Sequence, residues 1–371
     1  MPQKPRVGVV FGGRSGEHEV SLISARSVMA AFDTDRYEVV PIGITRAGRW
    51  LAGDDALTRL QSEAPPTGEL AALLPAPSVE GRLHQLVVRA GGFTTLAQLD
   101  VIFPVLHGPM GEDGTIQGLF ELADIPYVGN GVLASAVGMD KIAFKHAMQA
   151  SGIPVVEGVH FTRHALTTQL DGVVGQVEQA LTYPVFCKPA NMGSSVGVGK
   201  ASDRSELCAA LTEAARWDRR VLVERGVDAR EVEVSVLGNE EIEASLAGEI
   251  VPSNEFYDFA AKYVDGDSDL LFPAPISDAL MTSLREVAIA AFRAIDGAGL
   301  ARVDFLLERG TDRFYLNEVN TLPGFTPISM YPKLWEASGL SYSALLDRLV
   351  ELALARHAEK QALETVFHSA S

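Results

Sequence analysis

Positive charge is scarce in this chain. Its 31 lysines and arginines face 48 aspartates and glutamates, a formal charge of −17 at pH 7. Nonspecific binding to nucleic acid or to anionic membranes relies on a basic field, so the balance argues against both as partners. Any anion this chain binds must be met by cations gathered locally. Cysteine is rarer still: there are 2, Cys187 and Cys208. They are too few for a disulfide framework, and no Cys/His cluster has zinc-ligand spacing. Long apolar runs are missing as well. The N-terminal run Val7–Phe11 is too short for a signal-peptide core, and no stretch reaches membrane-spanning length. The expected compartment is therefore the cytoplasm. With 371 residues and 47% hydrophobic content, the chain suits two or three domains with ample core.

What is present is an alternation of strand and helix patterns. Val7–Phe11 reads as a buried strand leading into GGRSGEHEVS and an amphipathic helix. Tyr37–Ile44 and Val101–Leu106 read as further strands, the latter ending at His107-Gly108. Such alternation predicts a parallel sheet with helices on both faces, and sites on these sheets gather at the carboxyl ends of the strands. GGRSGEHEVS and HGPMGEDG both fall there. Residues 52–81, rich in Pro, Ala and Gly, read as an insertion of loops and short pieces. A helix over 140–150, a strand over 184–188, a helix over 205–215 and a strand over 220–224 suggest a small α+β unit. From Glu231 the pattern turns to strands, interrupted by the irregular stretch 253–275, whose length marks a lid or a disordered loop.

Three groups of residues could carry chemistry. In the strands RVDFLLE and RFYLNEVN, Arg302 and Asp304, then Glu318 and Asn320, stand two apart and share a strand face. Side by side, the strands would join two carboxylates and an amide oxygen, a donor set for magnesium completed by substrate phosphates. An outward polar face paired with Arg302 fits the same alternation. The second group is CKPANMGSSVGVGK, residues 187–200. It fails the P-loop pattern, because Gly199-Lys200 is followed by Ala201 and Ser194 stands where the first glycine belongs. Its glycines could still let backbone N–H groups cradle a phosphate, with Lys188 behind and Lys141 nearby; a flexible hairpin tip is the bland alternative. The third group is dispersed. Glu17 after the first strand fits a helix N-terminal acid, His107 a strand-end histidine, and Lys262 and Tyr263 surface residues of the long loop.

In this order the segments GGRSGEHEVS, LHGPMGEDGTIQG, GMDK, VFCKPANMGSSVGV, VERGV with REVEV, AKY, ARVDF and LNEVNTLPGFTPISMYP resemble the ATP-grasp carboxylate–amine ligases, and among them the D-alanine–D-alanine ligases. Each segment is weak alone; in series they span essentially the whole chain and are highly specific. The resemblance implies an α/β, three-domain ATP-grasp fold: an N-terminal parallel-sheet domain over 1–139, a central subdomain over 140–227, and a C-terminal catalytic domain over 228–371 with the lid near 253–275.

It also implies roles. Lys141 and Lys188 would bind phosphate, with Ser194 and Ser195 in the covering loop and Lys262 approaching from the lid. Glu224, Arg225 and Val227 would form the adenine connection, and Glu231 would take the ribose hydroxyls. Asp304, Glu318 and Asn320 would hold two magnesium or manganese ions. Glu17, with His107 nearby, would hold the first D-alanine; Ser329 and the Met330 backbone would hold the second. Arg302 and the Gly324 N–H would stabilise the oxyanion. Glu17, Ser194 and Tyr263 would latch the lid. The implied reaction is ATP-dependent formation of D-alanyl-D-alanine through a D-alanyl phosphate for peptidoglycan synthesis, by a homodimer. The nearest rival is a relative making D-alanyl-D-lactate or D-alanyl-D-serine, against which Tyr263 argues. A nonenzymatic nucleotide-binding protein is the rival of another class.

Overall fold

The computed structural model describes residues 4–62, 70–75, 82–87, 92–251 and 269–364. Three sheets organise it. In the first, β1 (Arg6–Gly12) lies between β2 (Glu38–Ile44) and β7 (Val101–Val105), parallel to both. These strands are nearly continuous apolar runs because helices cover both faces. Leu22, Ala25 and Val28 of helix His18–Ala31 pack with Val7, Val9 and Phe11 on one side. Ile116 and Phe120 of helix Thr115–Leu122 pack with Val10 and Ile102 on the other.

Residues 52–81 were expected to be loops and short pieces. The described residues of the insertion are that, namely helix Ala56–Gln61 and one three-residue strand, and longer strands follow it. Here β3 (Trp50–Ala52), β4 (Ala71–Leu73), β5 (Arg82–Val87) and β6 (Gly92–Gln98) add antiparallel strands to the edge. The sheet becomes seven-stranded, in the order β6-β5-β4-β3-β2-β1-β7. Its outer strands are short and polar, RLHQLV and GFTTLAQ, so they lack the apolar period that reveals a strand. Pairing to an existing sheet edge holds them instead.

The second sheet is four-stranded and antiparallel, β10-β9-β11-β8, from β8 (Gly158–Thr162), β9 (Val185–Pro189), β10 (Gly199–Ala201) and β11 (Arg220–Arg225). Alternation divides its faces. Val185, Cys187, Val221 and Val223 pack on Leu207, Leu211 and Ala214 of helix Arg204–Trp217. On the opposite face Leu222 meets Ile142 of helix Lys141–Ala150. Lys188 and Glu224 belong to this second face, two residues from Phe186 and Leu222 respectively.

The third sheet runs β14-β13-β12-β15-β16, from β12 (Ala229–Gly238), β13 (Glu243–Val251), β14 (Asp269–Leu271), β15 (Gly299–Glu308) and β16 (Phe314–Asn320). Val232, Val234, Val303, Phe305 and Leu307 are buried against Leu284, Ala288 and Phe292 of helix Asp278–Ala294. Each such side chain contributes about 1.5–3 kcal/mol on burial. That anchored face fixes the register, so the alternate residues must point to the other side. The closing helix Tyr342–Gln361 brings Leu345, Leu346 and Leu349 into one core with Phe11, Phe103 and Leu300, tying the first and third sheets together.

Candidate functional site

A cleft opens where the three sheets meet, with Glu17, Lys141, Ser194, Arg302, Asn320 and Ser329 among its lining residues. Its floor is the solvent-side face of β12, β15 and β16. Backbone pairing sets Glu233 opposite Asp304, Asp304 opposite Glu318, and Arg302 opposite Asn320. The two readings left open by the alternation are both present in part. The polar residues converge as the metal reading requires, yet Arg302 grips Asp304 through two hydrogen bonds, Nε–Oδ1 at 2.7 Å and Nη2–Oδ2 at 2.6 Å. Arg302 Nε also pairs with Glu233 Oε2 at 2.9 Å. Burial alone would lower the Arg302 pKa, but Asp304 and Glu233 outweigh it and hold the guanidinium charged. Among the described residues, no three His, Cys, Asp or Glu side chains are grouped as a metal centre. What the face offers is the carboxylates of Glu233, Asp304 and Glu318 and the Asn320 amide, hard oxygen donors of the kind magnesium and manganese take when other ligands complete the shell.

The loop 191–198 forms the roof. Ser194 and Ser195 adopt left-handed backbone at φ 50° and 58°, and short turns close from Val196 N to Gly193 O (3.1 Å) and from Val198 N to Ser195 O (3.2 Å). These turns hold the loop in a compact shape over the cleft. Lys141 reaches the loop from below, donating to Met192 O at 2.7 Å. The helix it opens is capped by Asp140, which accepts from the N–H groups of Ile142 and Ala143 and is paired with Arg220. Ser194 donates to Glu17 across 177 residues of sequence. A Cβ on Gly193 would stand 3.0 Å from Glu17 Oε2, so glycine lets this contact close. Glu17 and Ser194 therefore meet as the family trio implies; Tyr263, and Lys262 beside it, lie outside the described residues.

His107 is buried and absent from the cleft wall. It contacts Ser24 Oγ at 3.2 Å and Leu322 O at 3.1 Å, with Glu112 Oε1 3.7 Å away. Burial pulls its pKa down, but Glu112 outweighs that and raises it. Glu112, which does line the cleft, is pushed up by its own burial, with Glu17 adding to the effect. Ser329 sits at the mouth of helix Met330–Ala337, with Thr326 N donating to its hydroxyl at 2.9 Å. Gly324 packs against that hydroxyl, where a Cβ would come within 2.7 Å.

Glu224 stands at the centre of a charged group on the second sheet. Its carboxylate is buried and faces two ammonium groups: Lys188 Nζ at 2.5 Å and Lys145. Burial would raise its pKa, but the lysines outweigh this and lower it to about 2. Arg225 turns away to Tyr315, whose hydroxyl lies 3.3 Å from Nη2. Val227 and Glu231 are half-buried on the connection and at the start of β12. Glu233, Lys145 and Glu112 escaped the sequence reading. Glu233 was signalled by the EVEV alternation that places Glu231; Lys145 and Glu112 gave no local signal.

The D-ala D-ala ligase N-terminus family model matches residues 6–130, and the D-ala D-ala ligase C-terminus model matches residues 147–351. This chain belongs to the D-alanine–D-alanine ligase family. A D-alanine–D-alanine ligase of Heliobacterium modesticaldum is 53% identical over 96% of this chain and 97% of its own length. One from a Thermoanaerobacter species is 50% identical over 96% and 99%. Among solved structures, the D-alanine-D-alanine ligase from Coxiella burnetii matches with a TM-score of 0.80 at 34% identity, covering 96% of both chains. The VanG D-Ala:D-Ser ligase from Enterococcus faecalis matches at 0.82 and 36% identity, covering 95% of this chain and 100% of its own. The higher identities thus fall on the D-alanine–D-alanine ligases.

Proposed function

We propose that this chain joins two D-alanines into D-alanyl-D-alanine, using ATP and releasing ADP and phosphate, as a step of peptidoglycan precursor synthesis. The observation that carries the reading is the convergence, in one cleft, of Glu17, Ser194, Arg302, Asn320, Gly324 and Ser329 in a chain that belongs to this family.

A carboxylate is a poor electrophile, so the first D-alanine is activated as an acyl phosphate before the second amine attacks. Glu17, at the inner end of the cleft, binds the first ammonium. Lys141 and Lys188 meet the phosphates from below while the Ser194–Ser195 turn covers them, and Lys262 approaches from the long loop. The adenine lies along the connection Glu224 to Val227, with Glu224 and backbone groups reading the base edge and Glu231 accepting from the ribose. Asp304, Glu318 and Asn320 would hold two magnesium or manganese ions, which supply charge neutralisation at the transferring phosphoryl oxygens.

The negative charge on the acyl oxygen is met by Arg302 and the Gly324 N–H. Asp304 and Glu233 together hold Arg302 in the cleft floor and keep it charged. Ser329 and the first N–H of helix Met330–Ala337 bind the second carboxylate, where the helix dipole favours an anion. Glu17, Ser194 and Tyr263 latch the site against water, which would hydrolyse the acyl phosphate.

We assign residues 1–139, 140–227 and 228–371 to the three domains of this machine. We place it in the cytoplasm as a homodimer. No described helix is long and apolar enough to cross a membrane. Phosphate release with D-alanine alone, compared with D-alanine plus D-lactate or D-serine, tests the substrate assignment. D-alanine alone is expected to suffice. Release that requires D-lactate or D-serine would replace the reading by its rival.

A further inference from the structure

Lys145 stands one helical turn beyond Lys141, on the same side of the helix that Asp140 opens. The sequence gives it no distinction, yet it is only 6% exposed, and Glu224 beside it only 4%. Its ammonium donates to Val156 O at 2.7 Å and pairs with Glu224 Oε1. The other carboxylate oxygen of Glu224 meets Lys188 Nζ at 2.5 Å. The three side chains form one buried row, Lys145–Glu224–Lys188, in which both oxygens of the carboxylate are engaged.

Charge counting gives the row a purpose. Within the row, two ammonium groups and one carboxylate leave one positive charge in excess, and Glu318 and Glu231 also act on Lys188. Without Lys145, Glu224 would neutralise Lys188, and an incoming phosphate would meet a closed ion pair. Burying such a row is costly unless every member is satisfied, and the Val156 carbonyl supplies a partner for the lysine farthest from the cleft. We propose that Lys145 is a positioning residue for ATP: it engages one oxygen of Glu224 and offsets its charge, so that the Lys188 ammonium is not spent in a lone ion pair and remains available to the phosphates. This rests on the reading of Lys188 as a phosphate-binding lysine.

The test uses the full chain with Lys145→Gln, Lys145→Arg, Lys188→Gln and the Lys145→Gln/Lys188→Gln double variant. ATP affinity with Mg2+ is measured by calorimetry without D-alanine, and KM for ATP and kcat are measured with it. Lys145→Gln keeps a donor but removes the charge. It is expected to weaken ATP binding and raise KM about tenfold while kcat moves less than about threefold, the signature of lost uniform binding. Lys145→Arg should restore affinity to within about threefold, and the double variant should bind no more weakly than Lys188→Gln alone. Parental ATP affinity in Lys145→Gln, beside weakened binding in Lys188→Gln, would overturn this inference and leave the function intact. Parental affinity in Lys188→Gln would overturn the phosphate-lysine reading and this inference with it. If Lys145→Gln does not fold, Lys145→Met, which fills the space without a polar head, carries the same comparison.

Discussion

Glutamine in place of Glu224 removes one charge from the buried row and leaves two ammonium groups facing each other. The size of the effect follows from the carboxyl itself. Its pKa falls from 4.5 to about 2 in the folded chain, and about 2.5 units at about 1.4 kcal/mol each gives about 3 kcal/mol of stability at pH 7. Breaking a buried ion pair by removing one partner costs about 3–5 kcal/mol, so two independent routes agree. The pH dependence has a definite sign. A carboxyl with a depressed folded pKa stabilises fully above its unfolded value and loses that contribution as pH falls toward the folded one. The advantage of the parent over Glu224→Gln should therefore be complete at pH 7, shrink by about 1 kcal/mol at pH 4 and by about 2 kcal/mol at pH 3. Urea unfolding followed by circular dichroism, parent against variant at each pH, measures it. A variant within about 0.5 kcal/mol of the parent at pH 7, or a difference that does not shrink in acid, would refute the reasoning.

Other expectations concern the cleft. Arg302→Lys forfeits the two-point contact to Asp304 and the Nε contact to Glu233, and should lower kcat by about 10²–10³-fold with a smaller change in KM, read by phosphate release. Gly324→Ala drives a methyl into Ser329 Oγ, 2.7 Å from the ideal Cβ position; it should cut kcat/KM at least about tenfold, with melting temperature little changed, because the second-substrate site is displaced while the core is not. Ser194→Ala breaks the bridge to Glu17 and should raise phosphate release uncoupled from dipeptide, measured as the ratio of the two products, since water then reaches the acyl phosphate. Chelation of divalent cations should abolish ligation, and Asp304→Asn should weaken binding of the magnesium–nucleotide complex in calorimetry.

Local alternation made the cleft floor readable. RVDFLLE and LNEVN each carry polar residues two apart on a strand whose other face is apolar, and period two transmits that directly into which side chains converge. The left-handed serines of the roof were announced by the glycines around them. Long-range partners were not readable. Lys145 resembles any helical lysine until Glu224, 79 positions later in the numbering, is folded against it, and His107 resembles a strand-end residue until Glu112 and Leu322 enclose it. Glu224 illustrates the same limit: its two lysine partners come from other segments of the chain, and the pairing gave no local signal. The edge strands β5 and β6 were missed because pairing to a sheet edge, not their own apolar period, defines them.

The central claim is that the carboxylate of the first D-alanine is phosphorylated before the peptide bond forms. Isotope transfer addresses it without intermediaries. With D-alanine labelled by oxygen-18 in its carboxylate and unlabelled ATP, one labelled oxygen should appear in inorganic phosphate for each D-alanyl-D-alanine made, with ADP as the nucleotide product. Phosphate free of label, or AMP and pyrophosphate in place of ADP and phosphate, would contradict the account.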